Sequence, residues 1–250
     1  MRAVQMRGRS DDNIWLDRRT GWRDQATGCR ICVCTPEAEP RLWAQYLDGA
    51  LRSYRRHGVE SVLDFDAIRD GGDTALFFAA HDSDGALVGG TRVVGPLESP
   101  EHSHALVEWD GNKGREAVRR MIANRLPFGV GEFKSAWVDS SGSSRGGLTR
   151  ALARTALPAM TLLGVQFVMA TSAAHVLEQW RSSGGVVAAA VPAAAYPNEN
   201  YRTKLMWWDR RTLATNAEPQ QFKLMCAEDA ELSSRIAAAT QLMLASTGAG

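Results

Sequence analysis

The chain has 250 residues, a length that accommodates one large domain or two small ones, since domains typically run to about 100–200 residues. Hydrophobic residues make up 44% and charged residues 23%, a composition close to that of soluble globular proteins with a sizeable core. The formal net charge of +1 gives no electrostatic reason to expect nucleic acid or an anionic membrane as a partner.

The predicted elements begin after residues 1–28, which are polar and mixed in charge and are expected to be a poorly ordered arm. The first ten residues are basic and lack the apolar region of a secretory signal. No later run approaches the ~18 apolar residues that a membrane span needs. A cytoplasmic protein without a membrane span is therefore expected. Residues 29–212 are expected to form the main domain, and residues 213–250 a linker and a helix.

Three cysteines, Cys29, Cys32 and Cys34, cluster at the start of this domain. A Cys-x-x-Cys-x-Cys run binds metal when a second cluster closes the site, but Cys226 stands alone and no histidine has zinc-finger spacing. We interpret residues 30–35 as a strand in which the cysteines act as small apolar residues, and we expect no metal.

Helices and strands then alternate along the chain. Apolar residues at helical spacing predict a helix over 41–57, and two apolar runs joined by Asp-Ser-Asp-Gly predict a hairpin of 74–80 with 86–94. Residues 97–112, which include His102 and His104, are largely polar and predict a surface loop. The later predicted elements are a helix over 115–124, a strand over 132–139, a Ser/Gly-rich turn over 140–147, a helix over 148–163, a strand over 165–171, a helix over 174–183, a strand over 203–209 and a helix over 228–246.

The clearest chemical signal is the glycine turn between the strand over 132–139 and the next helix. Backbone N–H groups at a helix N-terminus have no intrahelical partner and lie at the positive end of the helix dipole. Gly146 and Gly147 allow a phosphate to approach this backbone, and Arg145 adds a positive charge. The residues therefore predict a pyrophosphate or phosphopantetheine site, although a turn that merely connects a strand to a helix has the same pattern.

This turn resembles the Gln/Arg-x-x-Gly-x-Gly/Ala motif of the GCN5-related N-acyltransferase superfamily. Gly147 fills the central glycine, whereas Ser144 replaces the usual Gln or Arg and Thr149 the usual Gly or Ala. The resemblance covers about residues 30–210. It implies a mixed α/β fold, with a central mixed sheet flanked by helices on both faces, and an acyl-CoA or acyl-phosphopantetheine donor. The donor contacts that it implies are Ser144, Arg145, Gly146, Gly147, Leu148, Thr149 and, on the preceding strand, Val138.

Within that superfamily the chain is similar to the autoinducer synthase-like branch, the acyl-homoserine-lactone synthases and N-acyl amino acid synthases. A strand that ends in Gly-x-x-Arg before a proline matches residues 89–96, Gly-Gly-Thr-Arg-Val-Val-Gly-Pro. A Glu-containing strand start matches residues 132–135 in part, because Ser135 stands where the lactone synthases have Arg. That difference argues against homoserine-lactone synthesis in particular.

The resemblance implies a thioester held where the strands over 132–139 and 165–171 splay apart, with strand-edge N–H groups polarising its carbonyl. Transfer to an amine also needs a base, and Glu132 is the predicted one. The alternative is a structural carboxylate paired with Arg92 or Lys134. Many relatives have a tyrosine as general acid where this chain has Trp180, and the autoinducer-type enzymes tend to lack that tyrosine.

The expected acceptor is a small-molecule primary amine such as an amino acid, with Arg92, Trp180 and Tyr201 as its predicted contacts. Arg92 would hold a carboxylate, or else be an ordinary surface arginine. Acyl-carrier protein is a partner if the donor is carrier-bound. Two alternatives stay open: an acetyl-CoA-dependent acetyltransferase of a small molecule or lysine, and a catalytically silent relative that binds a thioester or a protein partner.

Overall fold

The computed structural model describes residues 16–139 and 145–247, and it contains one sheet of eight strands in the order β1-β2-β3-β4-β5-β6-β8-β7. In these residues β5 and β6 pair in parallel, and every other neighbouring pair is antiparallel. The strands are β1 Gly21–Arg23, β2 Arg30–Cys34, β3 Leu76–His81, β4 Leu87–Val94, β5 Val130–Val138, β6 Phe167–Ala173, β7 Val186–Val187 and β8 Thr203–Asp209.

Helices cover both faces of this sheet, as the sequence predicts. They are α1 Pro40–Arg56, α2 Phe65–Ile68, α3 Ala105–Glu108, α4 Arg115–Ala123, α5 Arg145–Arg154, α6 Ala156–Leu163, α7 Leu177–Arg181, α8 Leu213–Asn216 and α9 Pro219–Thr247. Strand alternation sends neighbouring side chains to opposite faces. Trp207 accordingly packs with α3 and α4, whereas Trp208 packs with α5, α6 and α9.

Local sequence explains the elements that frame the later site. Pro40 occupies the first turn of α1, where a missing N–H costs nothing, and the buried face of the helix lies against the sheet. In the β3–β4 turn, the Asp82 side chain accepts hydrogen bonds from the N–H groups of Asp84 and Ala86, and Gly85 has a φ of 81°. This hairpin was predicted, and it is confirmed.

The start of the described chain corrects the predicted arm. Residues 16–28 are folded: β1 pairs with β2, and Leu16 and Trp22 are each only 1% exposed. A three-residue strand offers too little periodicity to be recognised in a sequence, so its pairing with β2 was missed. Residues 1–15 lie outside the described residues.

Three further predictions need correction. The helix predicted over 148–163 is two helices, α5 and α6, separated at Thr155, and α5 already begins at Arg145. The segment 97–112 is not only a surface loop, because α3 and the fully buried Trp109 belong to the core beside β5. The last helix begins at Pro219 and packs against β1, α5 and α6, so it is integral to the domain rather than an appendage after residue 212.

A buried ionic cluster, formed by Asp24, Arg154, Gln221 and Glu228, joins β1, α5 and α9. Arg154 is 1% exposed and forms hydrogen bonds with all three partners, including 2.7 Å to Gln221 Oε1 and 2.7 Å to Glu228 Oε1. Burial raises the pKa of the Glu228 carboxyl, and the Arg154 guanidinium opposes this shift. The cluster therefore connects the two ends of the described chain through one arginine.

Cys29, Cys32 and Cys34 are buried around β2 as free thiols, and the Cys32 and Cys34 sulfurs are 3.9 Å apart. Among the residues that the structure describes, no group of three or more His, Cys, Asp or Glu side chains could hold a metal ion. Across 16–139 and 145–247, no helix has the length and apolar character needed to cross a membrane.

Candidate active site

The parallel strands β5 and β6 separate part of the way along their length. Their described pairing ends with Phe133 opposite Ala170, although β5 continues to Val138 and β6 to Ala173. β6 meanwhile stays paired with β8 along its whole length. A wedge-shaped gap therefore opens in the middle of the sheet beyond residues 133 and 170.

A β-bulge bends β5 at the start of this gap. The register between β4 and β5 shifts at residues 135–136, and Ser135 has a φ of 51°, a left-handed conformation that costs a non-glycine residue energy. The buried Tyr46 hydroxyl donates a 2.7 Å hydrogen bond to the Ser135 carbonyl oxygen and so holds the bulge. Bulges of this kind re-aim backbone and side chains, often at functional sites.

The gap contains a cavity of about 210 Å³. Its wall includes both splayed strands, from Phe133 to Ala136 and from Ala170 to Ala173, together with Glu108 and Trp180. Glu108 comes from the face of the sheet that carries α3, and Trp180 belongs to the core on the opposite face. The cavity therefore connects the two faces of the sheet through the splay.

Glu108 is the most distinctive polar group of this cavity. Its side chain is 3% exposed, and its Oε1 accepts hydrogen bonds from Lys134 Nζ at 2.9 Å and Thr171 Oγ1 at 2.8 Å. Its Oε2 is buried and has no hydrogen-bond donor among the described residues. A buried carboxylate oxygen without a donor is costly, so this atom marks a position suited to a ligand N–H.

Two tyrosines and a histidine surround this carboxylate. Tyr54 and Tyr196 line the cavity, and burial raises the pKa of each phenol to about 12, so both stay protonated at neutral pH. His104 Nε2 lies 3.8 Å from Glu108 Oε1 and 3.4 Å from the Tyr196 hydroxyl. Burial and the nearby Lys134 lower the pKa of His104 to about 4, so its ring is neutral at pH 7.

Glu132, the predicted base, does not line the cavity. It is fully buried, and its two oxygens accept hydrogen bonds from the backbone N–H groups of His104 at 2.9 Å and Ala105 at 3.1 Å. It therefore anchors the start of α3. Glu132 lies where β5 is still paired with β6, two residues before the splay, so the structure does not place the predicted base at the cavity.

Arg92, the predicted carboxylate ligand, is also directed elsewhere. It is 5% exposed and donates hydrogen bonds to Asp73 Oδ2 at 2.7 Å and to Thr74 Oγ1 at 3.0 Å. Its Nε lies 3.4 Å from Ser135 Oγ, a cavity residue. Arg92 thus supports the bulge from behind and is not among the residues that line the cavity.

Trp180 and Tyr201, the other two predicted acceptor contacts, both line the cavity. Trp180 is on α7 and forms an edge-to-face pair with Trp208, with ring centroids 6.2 Å apart. Tyr201 donates a 3.1 Å hydrogen bond to the His57 carbonyl oxygen and also borders a surface concavity of about 660 Å³. That concavity, named the vestibule below, adjoins the inner cavity, since Tyr201 and Ala173 line both.

The predicted donor turn lies on the other face, at the start of α5. Ser144 falls outside the described residues, and Gly146 and Gly147 lie in the first turn of the helix. A Cβ at Gly147 would meet Thr27 Cγ2 at 3.2 Å and nothing else within 4 Å. Leu148 is buried in the core, and Val138 at the end of β5 is partly buried and packs against the same core.

The sequence did not identify Glu108, Thr171 and Tyr54 as residues of this cavity, nor Lys134 as the partner of Glu108. The available signal was the spacing of His104 and Glu108, four residues apart and followed by Trp109, which is typical of a helical turn with a buried side. The polar residues around it favoured a loop instead.

Comparisons with known proteins give relatives that are similar in sequence and solved structures that are similar in fold. No family model matches the chain. The protein Rv1356c of Mycobacterium tuberculosis and the protein Mb1391c of Mycobacterium bovis, both described as uncharacterized, are each 57% identical to it over 221 residues. In both cases the match covers 88% of this chain and 84% of the relative.

Two solved structures share the fold. FeeM, an N-acyl amino acid synthase from uncultured soil microbes, superposes with a TM-score of 0.53 at 14% identity, over 78% of this chain and 95% of that one. BjaI, a CoA-dependent acyl-homoserine lactone synthase, superposes with a TM-score of 0.52 at 17% identity, over 84% of this chain and 90% of that one. The fold expected from the glycine turn and its flanking strands is therefore confirmed.

Proposed function

We propose that this chain, which belongs to the same protein family as these mycobacterial proteins, transfers an acyl group from a thioester to a primary amine. The proposal agrees with its GCN5-related N-acyltransferase fold. The reacting groups would meet in the splay between β5 and β6. The donor would enter from the α5 face, and the amine from the face that carries Glu108.

The observation that carries this proposal is Glu108, a residue of the cavity wall whose Oε2 atom is buried and has no donor among the described residues. Acyl transfer requires a group that accepts a proton from the attacking nitrogen as the new bond forms. A carboxylate whose other oxygen is held by Lys134 and Thr171 is fixed in position, and its remaining oxygen is available for that proton. Glu108 therefore takes the role that the sequence suggested for Glu132.

The proposed transfer involves the amine, the thioester and Glu108. The neutral amine attacks the thioester carbonyl carbon, its proton passes to Glu108 Oε2, and the C–S bond breaks as the carbonyl re-forms. The electron pair of that bond leaves with the thiolate, a good leaving group because of its low pKa. Tyr54 and Tyr196, both protonated at neutral pH, can donate hydrogen bonds in the cavity where Trp180 has no hydroxyl.

The donor is proposed to be acyl-CoA or an acyl group on the phosphopantetheine of a carrier protein. The first turn of α5 supplies backbone N–H groups, and the space beside Gly147 is open except for Thr27. The acceptor is proposed to be a small primary amine that passes through the vestibule. Arg92 does not line the cavity. If the acceptor bears a carboxylate, Lys134 is the cationic side chain of the cavity wall that would contact it.

A direct transfer assay tests the proposal. Purified protein would be incubated with acetyl-CoA, butyryl-CoA or octanoyl-CoA, or with a carrier protein loaded with the same groups, and with a pool of amino acids, polyamines and a lysine peptide. We expect release of free thiol that depends on the presence of the amine. We also expect an N-acyl product whose mass equals that of the donor plus the amine minus the free thiol. If no donor and amine combination gives such a product, the enzymatic proposal fails and the binding-protein alternative stands.

Replacing Gly147 tests the donor site. Gly147→Asp puts a branched anionic side chain beside the proposed phosphate position, so we expect CoA affinity to fall by about tenfold or more, since a charge-assisted phosphate contact is worth roughly 1.5–3 kcal/mol. Calorimetric titration with CoA measures the change. Gly111→Asp, at a positive-φ loop glycine with open space around it, is the control for added charge, and equal affinity in the wild type and Gly147→Asp would contradict the assignment.

A further inference from the structure

The inner wall of the cavity is aromatic, with a further aromatic ring packed behind it. Phe133, Trp180 and Trp208 stand where an acyl chain would continue from the splay into the α5–α7 face of the core. Phe133 and Trp208 pair edge to face with centroids 6.1 Å apart, and Trp208 and Trp180 do so at 6.2 Å. The three rings form a continuous aromatic wall.

Trp208 is fixed within this wall. It is fully buried, its Nε1 donates a 2.9 Å hydrogen bond to Ser183 Oγ, and that hydroxyl donates in turn to the Trp180 carbonyl oxygen at 2.9 Å. A Cβ on Gly185 would lie 2.8 Å from the Trp208 ring, so the ring is packed without spare room. Trp208 therefore cannot turn aside to admit a longer chain without disturbing several elements.

The volume of the cavity leads to the same limit. A cavity of about 150 Å³ is large enough to bind benzene, which has six carbon atoms. A thioester sulfur and carbonyl, an acceptor nitrogen and an acyl group that all lie inside the cavity would share its 210 Å³. The remainder holds an acyl chain of roughly two to four carbons on that comparison.

On these grounds we infer that the protein accepts short acyl groups and that Trp180 sets the limit on their length; this rests on the proposed function. Of the two tryptophans in the wall, Trp180 is the one that lines the cavity. It lies on the five-residue helix α7, whereas Trp208 lies in a paired strand. Trp180 thus occupies the place where space would be gained by truncation.

Binding of acyl-CoA without an acceptor tests the inference separately from turnover. Calorimetric titration of wild type with CoA, acetyl-CoA, butyryl-CoA and octanoyl-CoA should give at least tenfold weaker binding for octanoyl-CoA than for acetyl-CoA. In Trp180→Ala, that ratio should fall to about two or less while CoA itself binds as before. Trp180→Phe keeps a ring in the wall and should keep the wild-type preference. Trp180→Leu serves as the truncation if the alanine variant does not fold, as judged by thermal unfolding.

The outcomes separate the two proposals. Equal wild-type binding of octanoyl-CoA and acetyl-CoA overturns the length limit, whether or not any transfer is seen. Short-chain preference that survives truncation of Trp180 overturns the role of that residue. Tight, length-selective binding without transfer to any amine supports the wall and contradicts the enzymatic proposal. Failure of every CoA species to bind, and of the same acyl groups on a carrier protein, overturns both.

Discussion

Glu108→Gln is expected to lower kcat by roughly 10²–10⁴-fold while leaving the fold and the donor affinity unchanged, because general-base catalysis typically contributes that much. The substitution is nearly isosteric. The glutamine carbonyl can keep the hydrogen bonds from Lys134 and Thr171, and the amide nitrogen replaces the Oε2 atom that has no donor among the described residues. The variant therefore removes the proton acceptor and little else. The measurement is amine-dependent thiol release at saturating donor.

A control variant makes the result specific. Glu116→Gln, on α4 at a side chain that is 78% exposed, should behave as wild type. A Glu108→Gln variant that keeps the wild-type rate would remove Glu108 from the mechanism.

Arg154→Met is expected to destabilise the protein by about 3–5 kcal/mol, the usual effect of removing one partner from a buried ionic pair. The variant leaves Asp24 and Glu228 buried without their cation, and Gln221 loses a hydrogen bond. Methionine has a similar length and is apolar, so the cost arises from the stranded carboxylates rather than from a cavity. Urea unfolding at pH 7, followed by far-UV circular dichroism, measures the change.

Arg150→Met provides the matched control, one turn earlier on α5. Arg150 pairs with Glu218 at the surface, where the two side chains are 36% and 53% exposed. Exposed ion pairs contribute about 0.2–1 kcal/mol, so this variant should unfold close to wild type. Equal destabilisation by the two substitutions would mean that the buried cluster contributes no more than a surface pair.

The elements with strong local signals were predictable from the sequence. The β3–β4 hairpin follows from two apolar runs around an Asp-Gly turn, and the strand Thr203–Asp209 was predicted with its observed bounds. The long helix α1 follows from its helical apolar spacing. β1 could not be predicted, because three residues carry no usable period and their strand pairing is a tertiary contact.

Glu108, the proposed base, illustrates why the candidate site was not predicted in full. Glu132 and Lys134 lie on the same face of β5, but the splay begins only after residue 133, and Glu132 does not line the cavity. Glu108 is brought there by contacts with Lys134 and Thr171, which are 26 and 63 residues away along the chain. Spacing within a local window cannot reveal a partner at that distance. Trp180 and Tyr201 line the cavity, and each belongs to or adjoins a predicted element beside the splay; their role as acceptor contacts stays a prediction.

The buried Arg154 connects segments of the chain that are synthesised far apart in time. Arg154 meets Asp24, 130 residues earlier, and Glu228, 74 residues later. Until the ribosome has released α9, Asp24 and Arg154 can pair only with each other, and one side of β1 and α5 lacks its cover. Contacts this distant in sequence form slowly and leave apolar surface exposed meanwhile. In the newly made chain, the apolar surface of β1 and α5 that α9 covers would therefore stay exposed until α9 docks.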